Sequence, residues 1–267
     1  MMKKRVLYAL LSATLLLSLT AQAVDVGNFS EIKTLSGHSS PVASVAWSPD
    51  GKMIASAGSA DKTVKIWDTS SGSEIRTLRG HSGDVSSVAW SPDGTKIASG
   101  SYQEINIWDA SSGSLLRNLS EHWTNSIVWS PDSTKIASGS AEGTIKIWNA
   151  STGSEIMTLR GHVTWASPIA WSPDGKMIVS GSYNNTIKIW NVSSGSVLGR
   201  LKKHGDYVFS VAWSPDGTKI ASGSMDGVIK IWGGIPVAPP PFTLVGLVVV
   251  ILIVIIIGVK VLRKRGV

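Results

Sequence analysis

The chain has 267 residues, 25 basic against 18 acidic side chains, and no cysteine. The missing cysteine excludes disulfides, thiolate metal centres and cysteine nucleophiles. Seven basic residues (Lys3, Lys4, Arg5, Lys260, Arg263, Lys264 and Arg265) sit at the two ends, which carry no acid, so the rest balances at 18 against 18. The net charge of +7 therefore belongs to the ends. A nucleic-acid partner, which needs a basic face, is not expected.

Residues 1–23 read as a secretory signal peptide. A charged start (Lys3, Lys4, Arg5) precedes a mostly apolar run over 6–19, too short for a comfortable membrane span, and then Ala21-Gln22-Ala23, a small-x-small cleavage pattern. An uncleaved short anchor is the alternative. Residues 24–30 form a short leader.

From residue 31 to 233 one unit recurs five times. Each copy has a His, then Trp-Ser-Pro-Asp, then a Lys-Ile-Ala-Ser-like run, then Ile-Trp. The histidines are His38, His81, His122, His162 and His204, separated by 43, 41, 40 and 42 residues. A period near 40 with four short β-like runs per unit predicts propeller blades. In the first copy the runs are 42–47, 53–57, 63–67 and 74–78, here called strands a to d, with turns at Ser48-Pro49-Asp50-Gly51, 59–62 and Ser70-Ser71-Gly72. No amphipathic helix of normal length fits. An extra d-like run, residues 31–35, precedes the first copy, and no d strand follows the last. A closed five-bladed ring is predicted, with 31–35 completing the fifth blade and removing its edge. An open or swapped arrangement completed by a second chain is the alternative, and with it a homo-oligomer.

These residues resemble the WD40 family. Gly-His stands at Gly37-His38, Gly80-His81 and Gly161-His162, and Trp-Asp at Trp67-Asp68 and Trp108-Asp109. The final pair becomes Trp148-Asn149, Trp190-Asn191 and Trp232-Gly233. The resemblance implies an all-β, five-bladed WD40-type propeller of four-stranded antiparallel blades. It also implies a buried set in each blade: His38, Ser56, Asp61 and Trp67 in blade 1, and His204, Ser222, Asp226 and Trp232 in blade 5. The Asp position becomes Gln103, Glu142 and Asn184 in blades 2, 3 and 4. A Ser–His–Asp grouping invites a hydrolase reading. Its repetition in successive blades, its Trp member and the lack of a nucleophile elbow favour a structural role. No catalytic residue, metal site or cofactor is expected, and the chain reads as a binding platform.

Residues 234–241 form a Pro-rich linker. From Phe242 to Val259 there is no charge, and Lys260 can snorkel, so a membrane helix is expected over 242–262, ending at Leu262. The basic residues of 263–267 mark that tail as cytoplasmic. A processed surface-sorting tail is the alternative. The expected topology is a single-pass cell-membrane protein with its propeller extracytoplasmic.

Ten of the twelve Trp fall in repeat register; Trp123 and Trp165 do not. They share one position with Tyr207, and Tyr102, Tyr183 and Met225 share another in the b–c turns, with Phe209 nearby. Both positions belong to the d–a/b–c face, which the short linker turns away from the membrane. These aromatics either fill loops and the central channel or form a docking surface for a protein or peptide. A sugar-binding surface is the second functional reading, and an extracytoplasmic hydrolase or lyase a third.

Overall fold

The structure, a computed structural model, describes residues 30–120, 123–201 and 204–234. The expected signal peptide, membrane helix and basic tail lie outside the described residues. Among the described residues no helix is long and apolar enough to cross a membrane. The strands all belong to the compact unit Leu35–Val267.

Nineteen strands form five antiparallel meanders. Blade 1 comprises β1 (Val42–Trp47), β2 (Met53–Gly58), β3 (Thr63–Asp68) and β4 (Glu74–Arg79). Blade 2 comprises β5 (Val85–Trp90), β6 (Lys96–Ser101), β7 (Glu104–Asp109) and β8 (Leu115–Ser120). Blade 3 comprises β9 (Thr124–Trp129), β10 (Lys135–Ser140), β11 (Thr144–Asn149) and β12 (Glu155–Arg160). Blade 4 comprises β13 (Ala166–Trp171), β14 (Met177–Ser182), β15 (Ile187–Asn191) and β16 (Val197–Leu201). Blade 5 has three strands, β17 (Val208–Trp213), β18 (Ile220–Ser224) and β19 (Ile229–Trp232).

The two inner strands of a blade are covered on both faces, so they read as nearly continuous apolar or small runs. β2 and β3, for example, are buried along most of their length, whereas β4 is mostly exposed or half-buried. The a–b turn is set by its own polar atoms. Asp50 Oδ1 accepts from Ser48 Oγ at 2.7 Å, and Gly51 N–H donates to the Ser48 carbonyl at 2.9 Å with φ at +71°. Ser133 takes the glycine place in blade 3 at φ +58°, and its hydroxyl accepts from the Asp93 N–H at 3.0 Å.

The c–d turn explains why the terminal Asp gives way to Asn. Asp68 Oδ1 accepts from Ser71 N–H and Ser70 Oγ, both at 2.7 Å. Asn149 Oδ1 accepts from Ser151 N–H and Thr152 N–H, both at 2.9 Å. The turn uses one oxygen acceptor, which either side chain supplies. Bonds from Ser70 and Ser71 pull the Asp68 carboxyl down to about 2.

Blades stack through one repeated junction. The first joins Ala55, Val64, Ile66 and Leu78 of blade 1 to Val85, Val88, Trp90 and Ile97 of blade 2. The next two repeat it with Ile105, Ile107 and Leu119 under Ile127 and Trp129, then Ile145, Ile147 and Leu159 under Ile169 and Trp171. The fourth sets Val179, Ile187 and Ile189 against Val208, Val211 and Ile220. Three of the a-strand tryptophans also donate across the junction: Trp129 to the Ala89 carbonyl at 3.1 Å, Trp171 to Val128 at 3.4 Å and Trp213 to Ala170 at 3.3 Å. Glycine permits the close approach. A Cβ on Gly139 would lie 1.9 Å from the Ala166 carbonyl oxygen, and one on Gly181 2.5 Å from Val208 Cγ1.

The expected ring closure is not observed. Residues 31–35 form no strand, and the fifth sheet keeps an unpaired β19 edge. Consecutive blades pack on one another, with β1 on β5, β5 on β9, β9 on β13 and β13 on β17, and no such packing joins β17–β19 to β1–β4. The terminal faces are accordingly bare. Val45 and Trp47 are 65% and 60% exposed, where their equivalents Val88 and Trp90 are 5% and 7% exposed. Four junctions of one geometry fix the direction of the array, and five blades so joined leave the first and last faces uncovered.

Gly139→Ala is expected to lower stability by about 1–3 kcal/mol in urea unfolding, because the contacting atom is backbone and cannot swing away. Asp68→Asn should leave the melting temperature unchanged while Asp68→Ala lowers it, as read by differential scanning calorimetry.

Candidate functional site

In blade 1 His38 sits between two partners. Nδ1 lies 2.7 Å from Asp61 Oδ2 and Nε2 2.7 Å from Ser56 Oγ, which also accepts from Trp67 Nε1 at 2.7 Å. Blade 5 repeats this with His204 Nδ1 to Asp226 at 3.0 Å, Nε2 to Ser222 at 2.7 Å and Trp232 Nε1 to Ser222 at 2.9 Å. The strands dictate the geometry: Ser on strand b and Trp on strand c face one another across the ladder, and the d–a loop drops the His onto them. Each Ser hydroxyl accepts from the Trp indole and lies against the His Nε2, so one oxygen links both rings. The set satisfies buried polar groups, each bond contributing about 0.5–1.5 kcal/mol net.

The middle blades depart from the expected residues. In blade 2 the partner of His81 is Glu104, at 3.1 Å, in place of Gln103, with Ser99 at 2.6 Å on the other nitrogen. The shortening of that turn lies on the Trp side, since Glu104 and Trp108 are 4 positions apart against 6 for Asp61 and Trp67. Counted from the histidine the offset is 23 residues, as for His38 and Asp61, so the signal was present in the spacing. In blade 4 His162 Nδ1 meets Thr186 Oγ1 at 3.2 Å, and Thr186 in turn donates to Asn184 Oδ1. Asn184 thus acts one step removed. In blade 3 Trp148 donates to Ser138 at 2.9 Å, and His122 lies outside the described residues. Glu142 lies between Ser140 and Thr144, whose hydroxyls bond to each other at 2.9 Å.

Burial holds His162 neutral. Desolvation, with Lys188 and Arg200 nearby, pushes its imidazole down to about 4, and desolvation also lowers His81 against the upward pull of Glu104. For Asp226, burial works upward, but bonds from the Gly205 and Val228 N–H groups and from His204 outweigh it and take the carboxyl down to about 2. The unfolded chain binds more protons at His162 between its ordinary 6.5 and 4, so stability rises with pH across that window. Acidification from pH 6.5 to 4 should therefore cost about 2–3 kcal/mol through His162, measured by urea titration against a His162→Gln control that flattens the profile. The Asp226 contribution is present above 3.8 and fades toward pH 2, below that window.

The out-of-register aromatics meet in one continuous row. Tyr102 and Trp123 lie 4.5 Å apart edge to face, Trp123 and Trp165 6.0 Å, also edge to face. Tyr183 stacks between Trp165 (5.4 Å, 5°) and Tyr207 (4.9 Å, 11°), and Phe209 meets Tyr183 edge-on at 5.8 Å. The row runs over blades 2 to 5 on the d–a/b–c side. Backbone bonds tie those loops together: Trp123 N–H to the Tyr102 carbonyl at 2.8 Å, Trp165 to Ala141 at 3.0 Å and Met225 to Tyr207 at 2.9 Å. Met225 is exposed. Trp123 adopts φ +53°, a left-handed conformation costly for a bulky side chain. Tyr102, Trp123, Tyr207 and Phe209 stay 43–52% exposed despite these contacts.

At one end of the row lies a notch of about 110 Å³ lined by Asp84, Ser86, Tyr102, Trp123, Asn125 and Trp165, among others. Thr124 Oγ1 and Asn125 Nδ2 are buried there without a hydrogen-bond partner among the described residues. Asn125 is one of the residues that sequence reasoning missed. It sits inside a strand of ordinary pattern, and only its position between Trp123 and Trp129 hints at a role. Among the described residues no cluster of His, Asp or Glu is placed to hold a metal ion.

Repeated antiparallel meanders, four of them pinned by a ring–hydroxyl–indole set among the described residues, define a β-propeller repeat protein. The family model described as IFT122 first beta-propeller matches residues 14–173, and the model described as WD domain, G-beta repeat matches residues 195–233. The chain belongs to the WD-repeat β-propeller family, with the first of these models matching more than half its length. It is also 65% identical over 37 residues to the vegetative incompatibility protein HET-E-1 of Podospora anserina, a match covering 14% of this chain and 3% of that protein. So short a segment of so long a relative carries the repeat alone.

Proposed function

We propose that the chain is a membrane-anchored, extracytoplasmic interaction scaffold that docks a protein or peptide on its aromatic row and performs no catalysis. WD-repeat propellers generally bind protein partners, and the single observation that carries the docking site is the row itself. Six rings supplied by four blades touch in sequence at positions where the repeat otherwise varies, over a scaffold of nearly identical strands. Aromatic rings supply large contact area at small entropic cost, and Asp84 and Asp206 stand beside them as a polar rim. The anchoring part of the reading rests on the uncharged stretch from Phe242 and the Arg263-Lys264-Arg265 cluster after it.

The stacking favours a peptide over a sugar along most of the row. Trp165, Tyr183 and Tyr207 spend their faces on one another, so they present edges and grooves suited to apolar side chains. The notch beside Trp123 favours the second reading locally, because the unpartnered Thr124 hydroxyl and Asn125 amide would match a ligand's hydroxyl groups. Replacing Trp165 and Tyr207 together by Ala should weaken capture of the cognate peptide at least about tenfold without changing the melting transition. Peptide and glycan arrays probed with the wild-type and doubly substituted chains check this. Glycan binding that survives the double change and dies with Asn125→Ala would replace the peptide reading.

A further inference from the structure

The two bare ends of the array match one another. The exposed face of blade 1 presents Val42, Val45 and Trp47 beside a cleft of about 180 Å³ that also involves Leu35 and Ile54. At every internal junction the same positions are covered by strand c of the preceding blade, Val64 and Ile66 in blade 1 and an Ile-x-Ile in blades 2 to 4. The opposite end of the chain presents that counterpart uncovered: Ile229 and Ile231 are 76% and 73% exposed, where Ile105, Ile107, Ile145 and Ile147 are fully buried. The close-approach glycine is present too. Gly223 occupies the register of Gly139 and Gly181, yet a Cβ there would meet only Ser210 of its own blade, at 3.9 Å.

The missing strand has a match as well. Residues 31–35 read Glu-Ile-Lys-Thr-Leu, and β4 begins Glu-Ile-Arg-Thr-Leu. Thr34 donates to Glu31, as Thr77 does to Glu74 and Thr158 to Glu155. The segment thus has the composition and the local contact of a fourth strand but is not in a strand, and among the described residues β19 pairs with β18 alone. An apolar groove of about 520 Å³, lined by Met177, Ile189, Leu198, Leu201, Gly233 and Gly234, extends that bare edge onto blade 4.

We propose that two copies of this chain join head to tail, residues 31–35 of one copy pairing with β19 of the next while Val45 and Trp47 of the first cover Ile229 and Ile231 of the second. The occupant is a second copy because both surfaces are halves of a junction that this sequence already forms four times, and because the faces of blades 1 and 5 stay exposed within one chain. The register follows from blade 1, where Val64 faces Leu78 and Ile66 faces Arg76. Ile229 therefore faces Leu35 and Ile231 faces Lys33 of the other copy. The Trp47 indole would donate to the Ala212 carbonyl, as Trp129 does to Ala89. Covering the bare apolar face and the open strand edge removes two aggregation hazards in one contact.

The chain has no cysteine, which makes disulfide trapping clean. Antiparallel partners stand about 4.5–5.5 Å apart, within disulfide reach. Full-length Lys33→Cys and Ile231→Cys chains carrying different tags are co-expressed and oxidised. A mixed disulfide dimer is expected, and neither variant alone should form one. A chain carrying both changes should give dimers and longer ladders. An internal cross-link without ladders would mean that the chain closes on its own strand, and it would overturn the proposal, as would no cross-link at all. Light scattering on Val45→Glu and Ile231→Glu provides a second reading. Each variant should lose association about tenfold or more, and an equimolar mixture should regain a dimer through its one intact contact. Wild-type protein that stays monomeric at all concentrations would also overturn it. Since these residues lie away from the aromatic row, loss of assembly with peptide capture intact separates this proposal from the docking reading.

Discussion

Everything in this molecule depends on the contact between one blade and the next. A single blade has two apolar faces and cannot cover either of them alone. Two β-branched residues of strand c, the leucine of strand d and the β-branched residue and tryptophan of the following strand a solve this together, with glycine at the closest approach. The solution is local, so it can be written once and copied. Stability is then a sum over junctions, as in other linear repeat arrays, and each copy depends mainly on its neighbours. A chain built this way has a definite problem at its ends, and the exposed Trp47 and Ile231 are where that problem shows.

The buried polar sets have a second duty inside each blade. They tie the d–a loop to strands b and c, so the loops that carry Trp165 and Tyr207 stand on fixed supports. Their acid member varies between Asp, Glu and a Thr–Asn relay, and the histidine always finds an oxygen where both are described. What the fold demands is an acceptor or hydroxyl at one place in space, so side chains of different reach serve equally. The Asp and Asn of the c–d turn follow the same logic.

The sequence pattern made the repeat, the strand order and the a–b turns readable, because each depends on residues adjacent in the chain. The sets of blades 1 and 5 were readable for the same reason, being intact. Glu104 escaped because a deletion was counted from the wrong landmark, and Thr186 because a relay leaves no mark in residue spacing. Closure was misjudged on a different ground. Counting strands shows that a fourth strand is available for blade 5, but whether it reaches depends on the angle at each junction, which no local motif encodes. The aromatic positions were visible as departures from the repeat. Their contact with one another was not, since it joins side chains 18 to 42 residues apart on different loops.

Tyr183 lies nearly parallel between Trp165 and Tyr207 at 5.4 and 4.9 Å. Transition dipoles held so close and so fixed couple, and coupled chromophores in a chiral setting give a paired circular-dichroism band that isolated rings lack. The native protein therefore carries its own optical gauge at the aromatic row. A ligand that parts the stack or flattens it will alter that band without any dye, label or added reporter.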